Sequence, residues 1–228
     1  MSVWAVLPAA GRGERLHADR PKAFSPLRNR PLLAESLERL EASTWVDSIV
    51  VVAPPEWEEP VILLAEELGC GKVVASVAGG ESRAASVRIG VGEVPDDAAV
   101  ILVHDAARPL VSDLVVERLI GALNEGWDGA VPGLALPDTV KRVRDSAVVE
   151  TLPRDELRGV QTPQAFVATL LRAAVAGGDE ATDCSSLVEA RGGRVTVVEG
   201  DPRLLKVTTA HDLALVESWL GGSGSEAS

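Results

Sequence analysis

Short apolar runs rich in β-branched residues recur along the chain at 3–7, 49–53, 72–77, 99–103, 129–131 and 195–198. Most are continuous rather than alternating, the pattern of strands covered on both faces. Between them, apolar residues return at helical spacing. Pro31-Leu32-Leu33 opens one such stretch, with apolar positions at 32, 33, 37 and 40. Others cover about 56–68, 83–92, 112–124, 166–175, 184–190 and 210–220. Strand–helix alternation predicts an α/β fold with a mainly parallel sheet, right-handed crossovers and helices on both faces.

One segment breaks the rhythm. Residues 134–158 hold Thr139-Val140-Lys141-Arg142-Val143-Arg144 and Val148-Val149-Glu150-Thr151 around the polar Asp145-Ser146-Ala147. This predicts two strands and a turn. The pair is too polar for a core, and an isolated hairpin is marginal in water. A protruding arm that packs on a second subunit is expected. Residues 1–220 read as one domain that includes this arm, with 221–228 (Gly-Gly-Ser-Gly-Ser and three more) as a flexible tail.

Bulk properties narrow the function. The chain has 22 Lys plus Arg against 34 Asp plus Glu, a net charge of −12. That argues against broad nucleic-acid binding, although a local cation cluster can still hold an anion. No apolar run reaches the roughly 18 residues of a membrane span. Cys70 and Cys184 lack metal-ligand spacing and read as two unpaired thiols of a cytoplasmic protein.

The candidate chemistry lies where strands end, the edge at which open α/β sheets bind ligands. After the first run comes Pro8-Ala9-Ala10-Gly11-Arg12-Gly13-Glu14-Arg15, with Lys22 beyond. Small residues let a nucleotide approach the backbone, and Gly11 and Gly13 let N–H groups turn toward phosphate. The loop is neither a Walker A motif nor a dinucleotide fingerprint. Gly79-Gly80-Glu81-Ser82-Arg83-Ala84-Ala85-Ser86-Val87 follows the third run and opens a helix. After the run at 99–103, His104-Asp105-Ala106-Ala107-Arg108-Pro109 supplies a carboxylate for a metal and a guanidinium for a phosphate. His104 reads as a loop-positioning residue rather than a base. Arg154, Asp183 and Lys206 add charges later in the chain.

These blocks together resemble the 2-C-methyl-D-erythritol 4-phosphate cytidylyltransferases of the non-mevalonate isoprenoid pathway. The resemblance rests on Pro-Ala-Ala-Gly-x-Gly-x-Arg then Pro-Lys (8–22), Gly-Gly-x-x-Arg-x-x-Ser-Val (79–87), Val-His-Asp-Ala-Ala-Arg-Pro (103–109) and Asp-Thr-Val-Lys (138–141). Thr-Pro-Gln-x-Phe (162–166), Thr-Asp (182–183) and Lys-Val-Thr (206–208) complete it. It implies a Rossmann-like nucleotidyltransferase that transfers CMP from CTP to 2-C-methyl-D-erythritol 4-phosphate with Mg²⁺, releasing pyrophosphate, and a homodimer that exchanges the arm. Ala9, Ala10, Gly11, Gly80, Glu81 and Ser86 would face the cytidine, Arg83 would support it, and Arg15 and Lys22 would hold the triphosphate. Asp105 would bind Mg²⁺ or the ribose–phosphate region. Arg108, Asp183 and Lys206 would line the polyol phosphate site, with Thr139 and Arg154 reaching in from the partner's arm. Arg15, Lys22 and Lys206 would be the catalytic cations. Two positions depart from the family's habit: Leu204 stands where an Asn is common, and Cys184 where an acidic residue is common. Ribitol 5-phosphate cytidylyltransferase and a non-catalytic CTP-binding regulator are the rival readings.

Overall fold

The computed structural model describes residues 1–11 and 20–222. Twelve strands and seven α-helices alternate along most of this length. The strands are β1 (Val3–Pro8), β2 (Pro26–Leu27), β3 (Arg30–Pro31), β4 (Ser48–Ala53), β5 (Val73–Ala78), β6 (Val100–Val103), β7 (Gly129–Ala135), β8 (Val140–Arg144), β9 (Ala147–Leu152), β10 (Arg158–Val160), β11 (Gln164–Val167) and β12 (Val195–Glu199). The helices are α1 (Leu32–Ala42), α2 (Glu58–Glu67), α3 (Arg83–Gly92), α4 (Asp113–Asn124), α5 (Ala168–Val175), α6 (Ser185–Glu189) and α7 (Ala210–Gly222).

The main sheet has the order β10-β7-β11-β6-β1-β4-β5, with β12 also paired to β7. Strands β6, β1, β4 and β5 are mutually parallel, so their carboxyl ends open on one side. Successive residues of these strands serve opposite faces. Ala5, Leu7, Ile49, Val51 and Leu102 pack with Leu37 of α1, Val61 of α2 and Leu119 of α4. Val6, Val50, Val52, Ile101 and Val103 pack with Val87 of α3 and Leu171 of α5. This two-sided burial is why the runs are continuously apolar. The four apolar positions that define α1 are all fully buried.

Most predicted elements appear within a few residues of their expected bounds. The exception is the stretch expected to turn helical at 166. There β11 comes first, antiparallel to both β6 and β7, and α5 starts at Ala168. Four residues, three of them buried, are too few to display a period, so the strand merges with the helix that follows it. The short strands β2, β3 and β10 were invisible for the same reason.

Helix α3 lies close against the sheet. A Cβ at Gly90 would stand 2.5 Å from Val6 Cγ1 and 2.6 Å from Val52 Cγ2. Gly90→Ala should therefore destabilise the protein by about 1–3 kcal/mol through overpacking. Urea unfolding checks this, and an unchanged midpoint would mean that the helix can back away freely.

The arm stands apart as the two-stranded sheet β8–β9. Its turn residues Asp145 and Ser146 have φ of 47° and 65°, the paired left-handed geometry of tight hairpin turns. Val143, Val148 and Val149 are 55%, 61% and 52% exposed. Among the described residues no helix is long and apolar enough to cross a membrane, and Cys70 and Cys184 are free thiols, both buried.

Candidate active site

Four parallel strand ends converge on a cleft of about 1080 Å³, at the upper end of small-ligand pockets and roomy enough for two reactants. Strand β1 contributes Pro8, Ala9, Ala10 and Gly11; β4 contributes Pro54 and Pro55; β5 leads to Gly79–Arg83; β6 leads to Asp105–Ala107. Arg20–Ala23, Ser86, Lys206 and Thr208 complete the wall. Pro54 and Pro55 were missed from sequence, although they too follow an apolar run.

The β1 and β5 loops touch. A Cβ on Gly79 would overlap that of Ala10, so the glycine is needed for this close approach. Ser82 caps α3, its Oγ accepting from the Ala85 N–H at 3.1 Å. Ser86 Oγ accepts from the Gly80 N–H (3.2 Å) and donates to the Ser82 carbonyl (2.9 Å). It thereby curls the Gly-rich loop over the helix N-terminus, where backbone N–H groups favour an anion. Lys22 opens a short 3₁₀ turn, Lys22–Phe24, and its N–H donates to the Gly11 carbonyl at 3.2 Å. Arg15 lies outside the described residues.

Asp105 is the hub. Its Oδ1 accepts from Arg83 Nε at 2.9 Å and sits 2.8 Å from Arg83 Nη2. Its Oδ2 accepts from Lys206 Nζ at 2.6 Å. Burial opposes its charge, but these two cations prevail and hold the carboxyl down at about 2. Burial also opposes the charge of Arg83, yet the pairing with Asp105 raises it above the ordinary guanidinium value. Arg108 is lowered by burial. Its Nη1 donates to the Leu204 carbonyl at 2.6 Å, and its Nε has no hydrogen-bond partner among the described residues. A buried cation with a spare donor suits an incoming anion.

His104 is fully buried, and burial pushes it down to about 4, so it is neutral near physiological pH. Its Nε2 faces the Arg108 carbonyl at 3.0 Å and its Nδ1 faces Thr162 Oγ1 at 3.3 Å. Those partners make Nε2 the donor and Nδ1 the acceptor. His104 thus braces the loop it belongs to.

Lys206 is held from the side of α7. The Val207 N–H donates to the Ala107 carbonyl at 2.8 Å. Asp212 Oδ2 accepts from the N–H groups of Thr208 and Thr209, each at 2.8 Å, while Thr209 Oγ1 accepts from the Asp212 N–H. This capping arrangement in Thr-x-x-Asp form starts α7 one step from the site.

The remaining expected residues separate into two groups. Asp183 accepts from Gln164, Ser185 and Ser186, and its neighbour Cys184 places Sγ 3.8 Å from Arg83 Nη1. Cys184 is thereby part of the surroundings of Arg83. Thr139 and Arg154 lie exposed at the base of the arm and do not line the cleft of this chain. At position 204 the contact that matters comes from the backbone carbonyl, which Leu204 supplies as well as an Asn.

Magnesium takes oxygen donors, commonly one or two carboxylates plus substrate phosphates. Asp105 is one such carboxylate. Among the described residues no group of three His, Cys, Asp or Glu side chains gathers around a common point, so most of the donors would have to come with the substrate.

The family model for 2-C-methyl-D-erythritol 4-phosphate cytidylyltransferase matches residues 3–222. A protein of that name from Nocardia farcinica is 46% identical over 220 residues, covering 96% of this chain and 94% of the relative. Its namesake from Saccharopolyspora erythraea is 45% identical over 225 residues, covering 96% and 100%. The crystal structure of the Thermus thermophilus cytidylyltransferase superposes with a TM-score of 0.77 at 34% identity, covering 95% of this chain and 98% of that one.

Proposed function

The chain belongs to the 2-C-methyl-D-erythritol 4-phosphate cytidylyltransferase family, and from that membership we propose how its own residues carry out the transfer. The enzyme moves CMP from CTP to 2-C-methyl-D-erythritol 4-phosphate, giving 4-diphosphocytidyl-2-C-methyl-D-erythritol and pyrophosphate in isoprenoid biosynthesis. The observation that carries the residue assignment is the single carboxylate Asp105 shared by Arg83 and Lys206 where the parallel strand ends meet.

A phosphate oxygen of the polyol attacks the α-phosphorus of CTP in line, and pyrophosphate departs. Both reactants are polyanions, so alignment and charge neutralisation are the main tasks. The nucleophile is already ionised, and a neutral, doubly hydrogen-bonded His104 is not needed as a base. Ala9, Ala10, Gly11, Gly80, Glu81 and Ser86 form the nucleoside side of the cleft, with Arg83 behind them. Lys22 and Arg15 hold the triphosphate and stabilise the transition state. Arg108, Lys206 and Asp183 serve the polyol phosphate. A divalent cation such as Mg²⁺, held by Asp105 together with triphosphate oxygens, would neutralise phosphate charge.

Residues 1–220 act as one catalytic unit, in the cytoplasm, where its thiols stay reduced. The apolar exposure of β8–β9 supports a homodimer in which Thr139 and Arg154 complete the partner's site. Arg154→Ala should chiefly raise the KM for the polyol phosphate. A mixed dimer of one Arg154→Ala subunit and one Asp105→Asn subunit tests the exchange. Both defects then fall in one site and the other stays intact, so half of the wild-type activity should remain with a wild-type KM. Two equally impaired sites would refute the arrangement. The reading as a whole is tested by divalent-cation-dependent pyrophosphate release from CTP, with methylerythritol 4-phosphate and ribitol 5-phosphate offered separately. Activity with the first is expected, and a preference for the second would overturn the substrate assignment.

A further inference from the structure

The Thr162-Pro163-Gln164 motif, together with Gln161 before it, stands behind the cleft with no role in the steps above. All four residues are buried. Each polar side chain reaches a different loop. Thr162 Oγ1 accepts from the Asp105 N–H at 3.0 Å. Gln164 Nε2 donates to Asp183 Oδ2 at 3.1 Å, while its Oε1 accepts from the Cys184 N–H at 3.1 Å. Gln161 Nε2 donates to the Asp201 carbonyl at 2.8 Å, and its Oε1 accepts from the Asp201 N–H at 3.0 Å.

The Gln161 pair has a particular consequence. It clamps the start of the turn 201–204, whose last carbonyl, on Leu204, receives Arg108 Nη1. Two residues later comes Lys206, on Asp105. One amide thus holds, from the side opposite α7, the turn that carries both contacts. The fit around it is close: a Cβ on Gly200 would overlap Gln161 Oε1. The Gln161 N–H itself donates to the Pro132 carbonyl at 2.8 Å, anchoring the residue to β7.

We propose that Gln161 is a positioning residue for the polyol phosphate subsite, acting through the 201–204 turn on Lys206 and Arg108. This rests on the assignment of Lys206 to that substrate. Gln161→Glu tests it with nearly unchanged shape. The new carboxylate still accepts from the Asp201 N–H but turns an acceptor toward the Asp201 carbonyl. The KM for the polyol phosphate should rise about tenfold, with the KM for CTP unchanged. Burial and the Asp201 carbonyl facing it raise the pKa of the introduced carboxyl against the Asp201 N–H, which lowers it, and once protonated the group donates to that carbonyl as the amide did. The ratio of variant to wild-type KM should therefore shrink as pH falls from about 8 to about 6.

Lys206→Met separates the two ideas. If Lys206→Met leaves kcat/KM for the polyol phosphate intact, the assignment of Lys206 falls. If it is damaging and Gln161→Glu multiplies the damage undiminished in both the Lys206→Met and the Arg108→Met backgrounds, Lys206 stands and the positioning role falls. Coupled effects, with Gln161→Glu costing less in at least one of these backgrounds, are the expected result. Equal changes in both KM values would also overturn the proposal. Should Gln161→Glu not fold, Gly200→Ala displaces the same amide without removing a polar group and should raise the same single KM.

Discussion

Lys22→Ala will lower turnover by about 10²–10³, by analogy with the loss of one transition-state donor, while the KM for CTP changes little. The side chain belongs to a residue pinned at the end of β1 by its N–H bond to the Gly11 carbonyl, with Ala23 and Phe24 buried behind it. That anchoring places the residue on the cleft wall. Negative charge grows on the departing pyrophosphate as the bond to the α-phosphorus breaks. A cation that meets this charge gains more in the transition state than in the ground state, and only that difference raises kcat. Steady-state kinetics with each substrate varied in turn measures it. A loss confined to CTP affinity, with turnover unchanged, would assign Lys22 to binding alone.

Asp105→Asn should produce the second large effect, on stability as well as rate. The carboxylate has an ordinary value of 3.8 when unfolded and about 2 in the fold. Its lowered pKa stabilises the protein above the unfolded value, and that contribution is lost as pH falls through the folded one. The shift corresponds to about 2 kcal/mol near neutral pH. Wild type and Asp105→Asn should differ by about that much in urea unfolding near neutrality. The gap should close between about pH 4 and pH 2, since wild-type Asp105 then protonates. A gap that does not narrow over this range would mean that Arg83 and Lys206 do not stabilise the ionised form. In the variant the two cations lose their common anchor and repel each other, so the polyol phosphate KM should rise with the loss of stability.

The chain's pattern of apolar residues was sufficient for the alternation of β1, α1, β4, α2, β5, α3, β6 and α4. Burial on both faces writes itself into sequence as uninterrupted Val, Ile and Leu. It was sufficient for the arm as well, because a hairpin that lacks a core keeps polar residues such as Lys141, Arg142 and Glu150. The motif residues at strand ends were legible for a related reason: parallel strands place all of their carboxyl ends on one edge, so glycines and charges that follow apolar runs must share a neighbourhood.

Other features depended on distance in space. Nothing local marks β11 as a strand, since its four residues are held by β6 and β7, which come from earlier in the chain. Asp105 could be listed as an acid near Arg83 and Lys206, but only folding brings a lysine 101 positions away to 2.6 Å from it. Leu204 looked like a loss until the backbone carbonyl proved to be the acceptor, a group that every residue type supplies. Gln161 carried no signal at all. Its importance comes from hydrogen bonds to the main chain of a turn 40 residues later, and backbone partners leave no trace in side-chain identity. Sequence by itself therefore determined the layered fold and which loops meet at the cleft, because burial and strand direction are written in residue type and order. The tertiary structure alone decided which charges pair and what holds them, because those contacts join segments whose separation along the chain bears no relation to their separation in space.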